Sequence, residues 1–226
     1  MGKKLQSQQH FSLKKIKPLT INQEDTFRSF FEGKNLLLHG VAGTGKTYIS
    51  LYLALNEVLK GNNGLEKIII LRSVVPSRDM GFLPGNIKEK TRVFEDPYRE
   101  ICDDLFGRGD GYDILKNKFL INFATTSYLR GITFRNAIII VDESQNMNYH
   151  ELDTVITRIG ENCRVIFCGD FRQSDLLKQE RTGLIDFMKI IDKMGCFDKI
   201  EFGVHDIVRS ALVKNYIVSK MELGFV

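Results

Sequence analysis

Six short apolar runs recur along this chain, each bounded by polar residues or glycine. They are Asn35-Leu-Leu-Leu-His39, Lys67-Ile-Ile-Ile-Leu71, Phe119-Leu-Ile-Asn-Phe123, Ala137-Ile-Ile-Ile-Val141, Arg164-Val-Ile-Phe-Cys168 and Lys199-Ile-Glu-Phe-Gly203. Most are continuous rather than alternating, which suits strands buried on both faces. Between them the apolar spacing turns helical. Ile49, Leu53, Leu55 and Leu59 mark a helix over 47–59 that Gly61 and Asn62-Asn63-Gly64 stop. Further helices fit 149–159, 183–194 and 207–223, and residues 86–106 read as mostly helical with an interruption near Pro97. Ahead of the first strand, Asn22 is placed to cap a helix from Gln23 to about Glu32, with Phe27, Phe30 and Phe31 inward and Gly33 at its end. Gly107-Arg-Gly-Asp-Gly111 reads as a flexible turn. Buried strands alternating with helices predict an α/β fold with a mostly parallel sheet covered on both faces.

The 226 residues suit one large domain, expected over 18–226, and 43% hydrophobic residues supply a sizeable core. No apolar run reaches the roughly 18 residues of a membrane span and no apolar signal segment opens the sequence, so the expectation is a cytoplasmic protein with no membrane partner. The four cysteines show no C-x-x-C spacing, which argues against zinc and for reduced thiols. A net charge of +4 permits an anionic partner without requiring one, so local clusters must carry that case. One is residues 1–17, with Lys3, Lys4, Lys14, Lys15 and Lys17 and no acidic residue. It reads as a flexible solvated tail or, more sharply, as a basic arm for nucleic acid.

Chemistry enters at Gly40-Val41-Ala42-Gly43-Thr44-Gly45-Lys46-Thr47, which fits G-x-x-x-x-G-K-[ST] with a strand leading in and a helix leading out. Glycines let backbone N–H groups wrap phosphates, and the helix N-terminus adds positive potential. Lys46 is placed to bridge β- and γ-phosphates, and the Thr47 hydroxyl to sit on Mg²⁺. The second motif is Asp142-Glu143 at the end of an apolar strand, where open α/β sheets bind ligands. Asp142 is the expected Mg²⁺ holder and Glu143 the expected general base for an attacking water. Because a phosphate-transferring kinase must exclude water, Glu143 favours hydrolysis. A third cluster, Gly169-Asp170-Phe171-Arg172-Gln173, offers Gln173 as a water-orienting or γ-phosphate-sensing side chain and Asp170 as a relay; an ordinary strand-to-helix turn capped by Asp170 is the equal alternative.

Several collinear segments make the chain resemble the PhoH family, ATPases related to the superfamily 1 helicase motor core. They are Gly40–Thr47, Gly81–Gly85 with Glu89-Lys90, Tyr128–Thr133, Asp142–Asn146, Thr157–Gly160, Gly169-Asp170 with Gln173, Thr182–Ile185 and Asp206–Arg209. The family often has alanine at Ser144, threonine at Cys168, proline at Ser73 and histidine at Ser210; none of these departures removes a charged catalytic group. The resemblance implies a RecA-like P-loop fold with strand Arg164–Cys168 inserted between Asn35–His39 and Ala137–Val141. It implies ATP as nucleotide, through similarity of Gln23 to an adenine-reading glutamine, although Gln23 also reads as a plain first-turn residue. A single motor domain further implies a homo-oligomer, a hexameric ring being the family's form. Arg209, opening the last helix, would then complete a neighbour's site, with Arg172 and Arg130 as rivals and an internal ion pair as the alternative. Single-stranded RNA or DNA is the expected partner, from Arg72, Arg78, Lys88, Lys90 and Arg92 around a long loop; the interleaved Phe82 and Phe94 could stack on bases, with helix packing the favoured role for Phe94. A regulatory or assembly ATPase acting on a protein is the competing expectation.

Overall fold

In the computed structural model the described residues are 11–73, 87–129, 131–171 and 178–225. Their strands are β1 (Asn35–Gly40), β2 (Lys67–Arg72), β3 (Ile121–Thr125), β4 (Ala137–Asp142), β5 (Cys163–Gly169) and β6 (Phe197–Phe202). All neighbours pair parallel, in the order β3-β2-β4-β5-β1-β6. Strand β5 thus separates β1 from β4, the arrangement the resemblance implies. Helices are α1 (Ile21–Phe31), α2 (Lys46–Val58), α3 (Ile87–Phe106), α4 (Gly111–Asn117), α5 (Tyr149–Thr157), α6 (Lys178–Met194) and α7 (Ala211–Glu222).

Successive strand side chains point to opposite faces, so one apolar run feeds two cores. Leu36, Leu38, Ile68, Ile70, Ile138 and Ile140 pack with α1 to α4. Leu37, Ile69, Leu71, Ile139, Val141 and Phe167 pack with α5 and α6. Every residue of central β4 is buried, whereas edge strands β3 and β6 alternate buried with exposed positions. Full burial of each such isoleucine or leucine is worth about 1.5–3 kcal/mol, which holds the strand ends where the site is assembled.

The edges are also where the structure departs from the sequence pattern. Strand β3 starts at Ile121 rather than Phe119 because Phe119 terminates α4, a helix the pattern did not signal. Phe119 lies at φ 59° and is 83% exposed. Its N–H donates to the Lys116 carbonyl at 3.0 Å and that of Leu120 to Leu115 at 2.9 Å, a helix-closing pair of bonds. Strand β6 likewise runs from Phe197 rather than Lys199. Helix α3 continues through Pro97. Burial of Tyr98, Cys102 and Leu105 on its inner face offsets the roughly 3 kcal/mol a mid-helix proline costs. Helix α1 is capped by Thr20, whose Oγ1 accepts from the Gln23 N–H; Asn22 instead donates to Asp206 Oδ2 at 2.7 Å. Phe31 is not inward but exposed.

Two corrections bear on function. The basic segment expected to be a free tail is docked over residues 11–17, while residues 1–10 lie outside the described residues. Phe11 stacks on Phe106 with centroids 4.1 Å apart, Lys14 N–H donates to the Leu105 carbonyl at 2.9 Å, and Leu13 and Ile16 pack on the core. Apolar residues interleaved among the lysines give this segment a face to bury. At the other end, α7 starts at Ala211, after Arg209, with Ser210 as its cap. None of its residues is buried.

Candidate active site

The C-terminal ends of β1, β4 and β5 meet at one edge of the sheet, and each delivers part of the site. At the end of β1, Gly40 adopts φ 120°, and a Cβ there would come 2.1 Å from the Phe202 carbonyl oxygen of β6. Only glycine fits so close a backbone crossing. Val41 N–H donates to that same oxygen at 2.9 Å, and Thr44 Oγ1 donates to the Val41 carbonyl at 3.0 Å. Gly43 and Gly45 take φ 77° and 82°, and Gly45 caps α2. Lys46, the first residue of α2, curls its ammonium back over the loop. Nζ donates to the carbonyls of Gly40 at 2.9 Å and Val41 at 2.8 Å, and to Thr44 Oγ1 at 3.3 Å. Burial lowers its pKa from the usual lysine value, while Asp170, Asp142 and Glu143 nearby act to raise it.

Strand β4 ends in Asp142, which accepts a hydrogen bond at each oxygen: from Thr47 Oγ1 at Oδ1, 2.9 Å, and from the Tyr98 hydroxyl at Oδ2, 2.8 Å. Burial pushes its carboxyl above the usual range and the Glu143 charge adds to that; the bonds from Tyr98 and Thr47 and the charge of Arg72 oppose it. Thr47 Oγ1 and Asp142 Oδ1 are hard oxygen donors converging at the N-terminus of α2. That donor chemistry fits Mg²⁺, which takes one or two protein oxygens and completes its shell with water and phosphate.

Glu143 follows in the left-handed region, φ 51° and ψ 38°. Such a conformation costs about 1–3 kcal/mol for a non-glycine residue and persists where surrounding contacts impose it. Here Gln145 Nε2 donates to Glu143 Oε2 at 2.6 Å, and Gln145 Oε1 accepts the Asp170 N–H at 3.1 Å. Ser144 Oγ donates to the Cys168 carbonyl at 2.9 Å. A Cβ on Gly169 would lie 2.7 Å from both Gln145 Oε1 and Ser144 Oγ, so the glycine ending β5 lets the two strand ends close together. Sequence reasoning assigned Gln145 no role; its signals were its place two residues beyond Glu143 and within the Asp142–Asn146 segment that carries the resemblance.

These groups share a cavity of about 970 Å³, lined by the phosphate loop, Asp142, Glu143, Asp170 and Arg209. Its other wall is formed by Ile16, Leu19, Gln23, Pro97 and Ile101. Gln23 is buried there with its Nε2 on the Thr44 carbonyl at 3.0 Å and its Oε1 accepting the Leu19 N–H at 2.8 Å. The residue expected to read adenine is therefore tied to the loop, with one amide hydrogen and one lone pair beyond these bonds. Arg209 lies against its own chain's loop. A Cβ on Gly43 would be 3.0 Å from Arg209 Cγ, and Val208 N–H donates to the Gly43 carbonyl at 3.0 Å. Gln173, Arg172 and Arg130 lie outside the described residues, as do Arg78, Phe82 and the side chains of Lys88 and Lys90. Phe94 packs on the core beneath Arg72, whose guanidinium is 5.7 Å from its ring, so its place is helix packing rather than base stacking.

A family model described as PhoH-like protein matches residues 15–221. A PhoH-like protein of Bacillus subtilis (strain 168) is 31% identical over 205 residues, covering 90% of this chain and 63% of the relative. Protein PhoH of Escherichia coli (strain K12) is 35% identical over 184 residues, covering 80% of this chain and 51% of the relative. The chain thus spans between about half and two thirds of the length of these curated relatives. Among solved structures, the large terminase from a thermophilic bacteriophage matches with a TM-score of 0.52 at 12% identity, covering 88% of this chain and 50% of that one, a likeness of fold. With a phosphate loop, a strand-end Asp-Glu pair and β5 between them, the chain belongs to the PhoH-like protein family.

Proposed function

We propose that this chain binds ATP with Mg²⁺ and hydrolyses it, with turnover coupled to single-stranded RNA or DNA. The observation that carries hydrolysis is Glu143, held by Gln145 on the same cavity as Lys46, Thr47 and Asp142. In this reading Lys46 exchanges the loop carbonyls for the β- and γ-phosphates, and the loop N–H groups and α2 N-terminus hold the phosphate chain. Thr47 and Asp142 hold Mg²⁺, which when bound neutralises charge on the phosphates. Glu143 accepts the proton of the attacking water. Arg209, beside Gly43, is a candidate for the phosphates of its own site; supply from a neighbouring copy in a ring is the alternative.

Support for nucleic acid is Arg72 at the C-terminal end of β2 and exposed Arg92 on α3, together with the net charge of +4. A protein target is favoured by a different observation, the exposure of Leu212, Tyr216 and Leu223 on and just after α7. The test is ATPase rate and nucleotide binding with and without single-stranded RNA or DNA at low and higher salt. Lys46→Ala is expected to lose nucleotide binding, and Glu143→Gln to keep binding and lose turnover. Stimulation by nucleic acid that fades with salt supports the first reading, because phosphate contacts weaken as counterions accumulate. Full turnover in Glu143→Gln would remove the assigned base, and indifference to nucleic acid at both salts would favour the protein target.

A further inference from the structure

We propose that Tyr98 is a positioning residue for Asp142, presenting one chosen carboxylate oxygen to the metal; this rests on the Mg²⁺–ATP reading above. Tyr98 belongs to helix α3 rather than to either motif, yet its side chain is fully buried and its hydroxyl reaches Asp142 Oδ2 at 2.8 Å. Its ring packs on Phe123 of β3 at 5.7 Å between centroids, which fixes where the hydroxyl sits.

A phenol has one proton to give and lone pairs to accept with. Because an ionised carboxylate can only accept, Tyr98 gives that proton to Asp142 Oδ2. Asp142 Oδ2 is thereby occupied from the α3 side, leaving Oδ1 for the Thr47 side, where it is 2.9 Å from Oγ1. The terminal torsion of an aspartate is broad and roughly two-fold, so an unrestrained carboxylate would sample other planes. Hydrogen bonds at opposite oxygens remove that freedom. The chain Tyr98–Asp142–Thr47 therefore links α3, β4 and α2 at the point where the cation would be held.

The experiment is a Mn²⁺ titration, followed by electron paramagnetic resonance, of protein bearing a slowly hydrolysed ATP analogue. Wild type, Tyr98→Phe, Asp142→Asn and the double variant are compared. Losing a hydrogen bond to a charged acceptor should weaken Mn²⁺ binding roughly ten-fold in Tyr98→Phe, with nucleotide affinity in the absence of divalent metal unchanged. Adding Tyr98→Phe to Asp142→Asn should weaken it little further, since the hydroxyl acts through that carboxylate. Phe123→Leu, which loosens the ring packed on Tyr98 and leaves its hydroxyl in place, should shift the titration in the same direction by less, and serves if Tyr98→Phe does not fold. A titration in Tyr98→Phe matching wild type overturns the inference, as does an equal loss in the Asp142→Asn background. A wild type that binds nucleotide but takes up no Mn²⁺ with it overturns the Mg²⁺ reading and this inference together.

Discussion

Replacing Gln145 by methionine keeps the length and approximate volume of the side chain while deleting both of its polar ends. Among the described residues, two bonds disappear. One is the Nε2 donation to Glu143 Oε2 at 2.6 Å, a bond to a charged group and so worth about 1.5–3 kcal/mol. The other is acceptance of the Asp170 N–H at 3.1 Å, whose loss strands a buried donor at about 1–3 kcal/mol. There is little room for relaxation, because the position a Cβ of Gly169 would occupy is 2.7 Å from Gln145 Oε1. Allowing partial compensation, a net loss of about 2–4 kcal/mol is expected, equivalent to a fall in Tm of roughly 4–16 °C for a chain of this size. Turnover should fall roughly 10–100-fold, part of the 10²–10⁴ that a positioned general base supplies. KM for ATP should stay within about twofold, because neither of these two bonds goes to the phosphate loop. Thermal unfolding and steady-state kinetics on one preparation decide the matter. If Tm drops while kcat holds, Gln145 supports the strand ends but does not position the base. If neither changes, the bonds carry no weight and the reasoning fails.

Two further outcomes are expected. Arg209→Ala and Lys46→Ala subunits, each inactive alone, should stay inactive when co-assembled if Arg209 serves its own loop; regained ATPase activity would place it in a neighbour's site. The bonds from the Tyr48 hydroxyl at 2.7 Å and Lys14 Nζ at 3.1 Å hold the Asp104 carboxyl below its ordinary value. With the folded pKa depressed, this stabilisation is present above the unfolded value of about 3.9 and is lost as pH falls through the folded one. Acidification should therefore loosen the docked residues 11–17, read as faster backbone hydrogen exchange around Lys14. An Asp104→Asn variant with the same acid response as wild type would assign that loosening to other groups.

Elements that depend on local pattern were legible in the sequence. A buried parallel strand needs consecutive apolar residues, and a phosphate loop needs glycines where φ is positive. Both are properties of a few adjacent residues, so β1, β2, β4, β5 and the Gly40–Thr47 loop could be placed within a residue or two. Edge strands were less so: Phe119 looks like strand by composition, but the helix before it claims its backbone for a closing turn. Strand order came from family resemblance rather than from periodicity, because an apolar run does not say which neighbour it will pair with. The company each motif keeps was left to tertiary packing. Asp142 and Tyr98 are 44 residues apart in sequence, and Gln145 and Asp170 are 25 apart. Phe11 finds Phe106, and Arg209 finds Gly43, through the closure of α1, α3 and β6 around the loop. Such contacts arise from how whole elements pack, and no window of neighbouring residues records them.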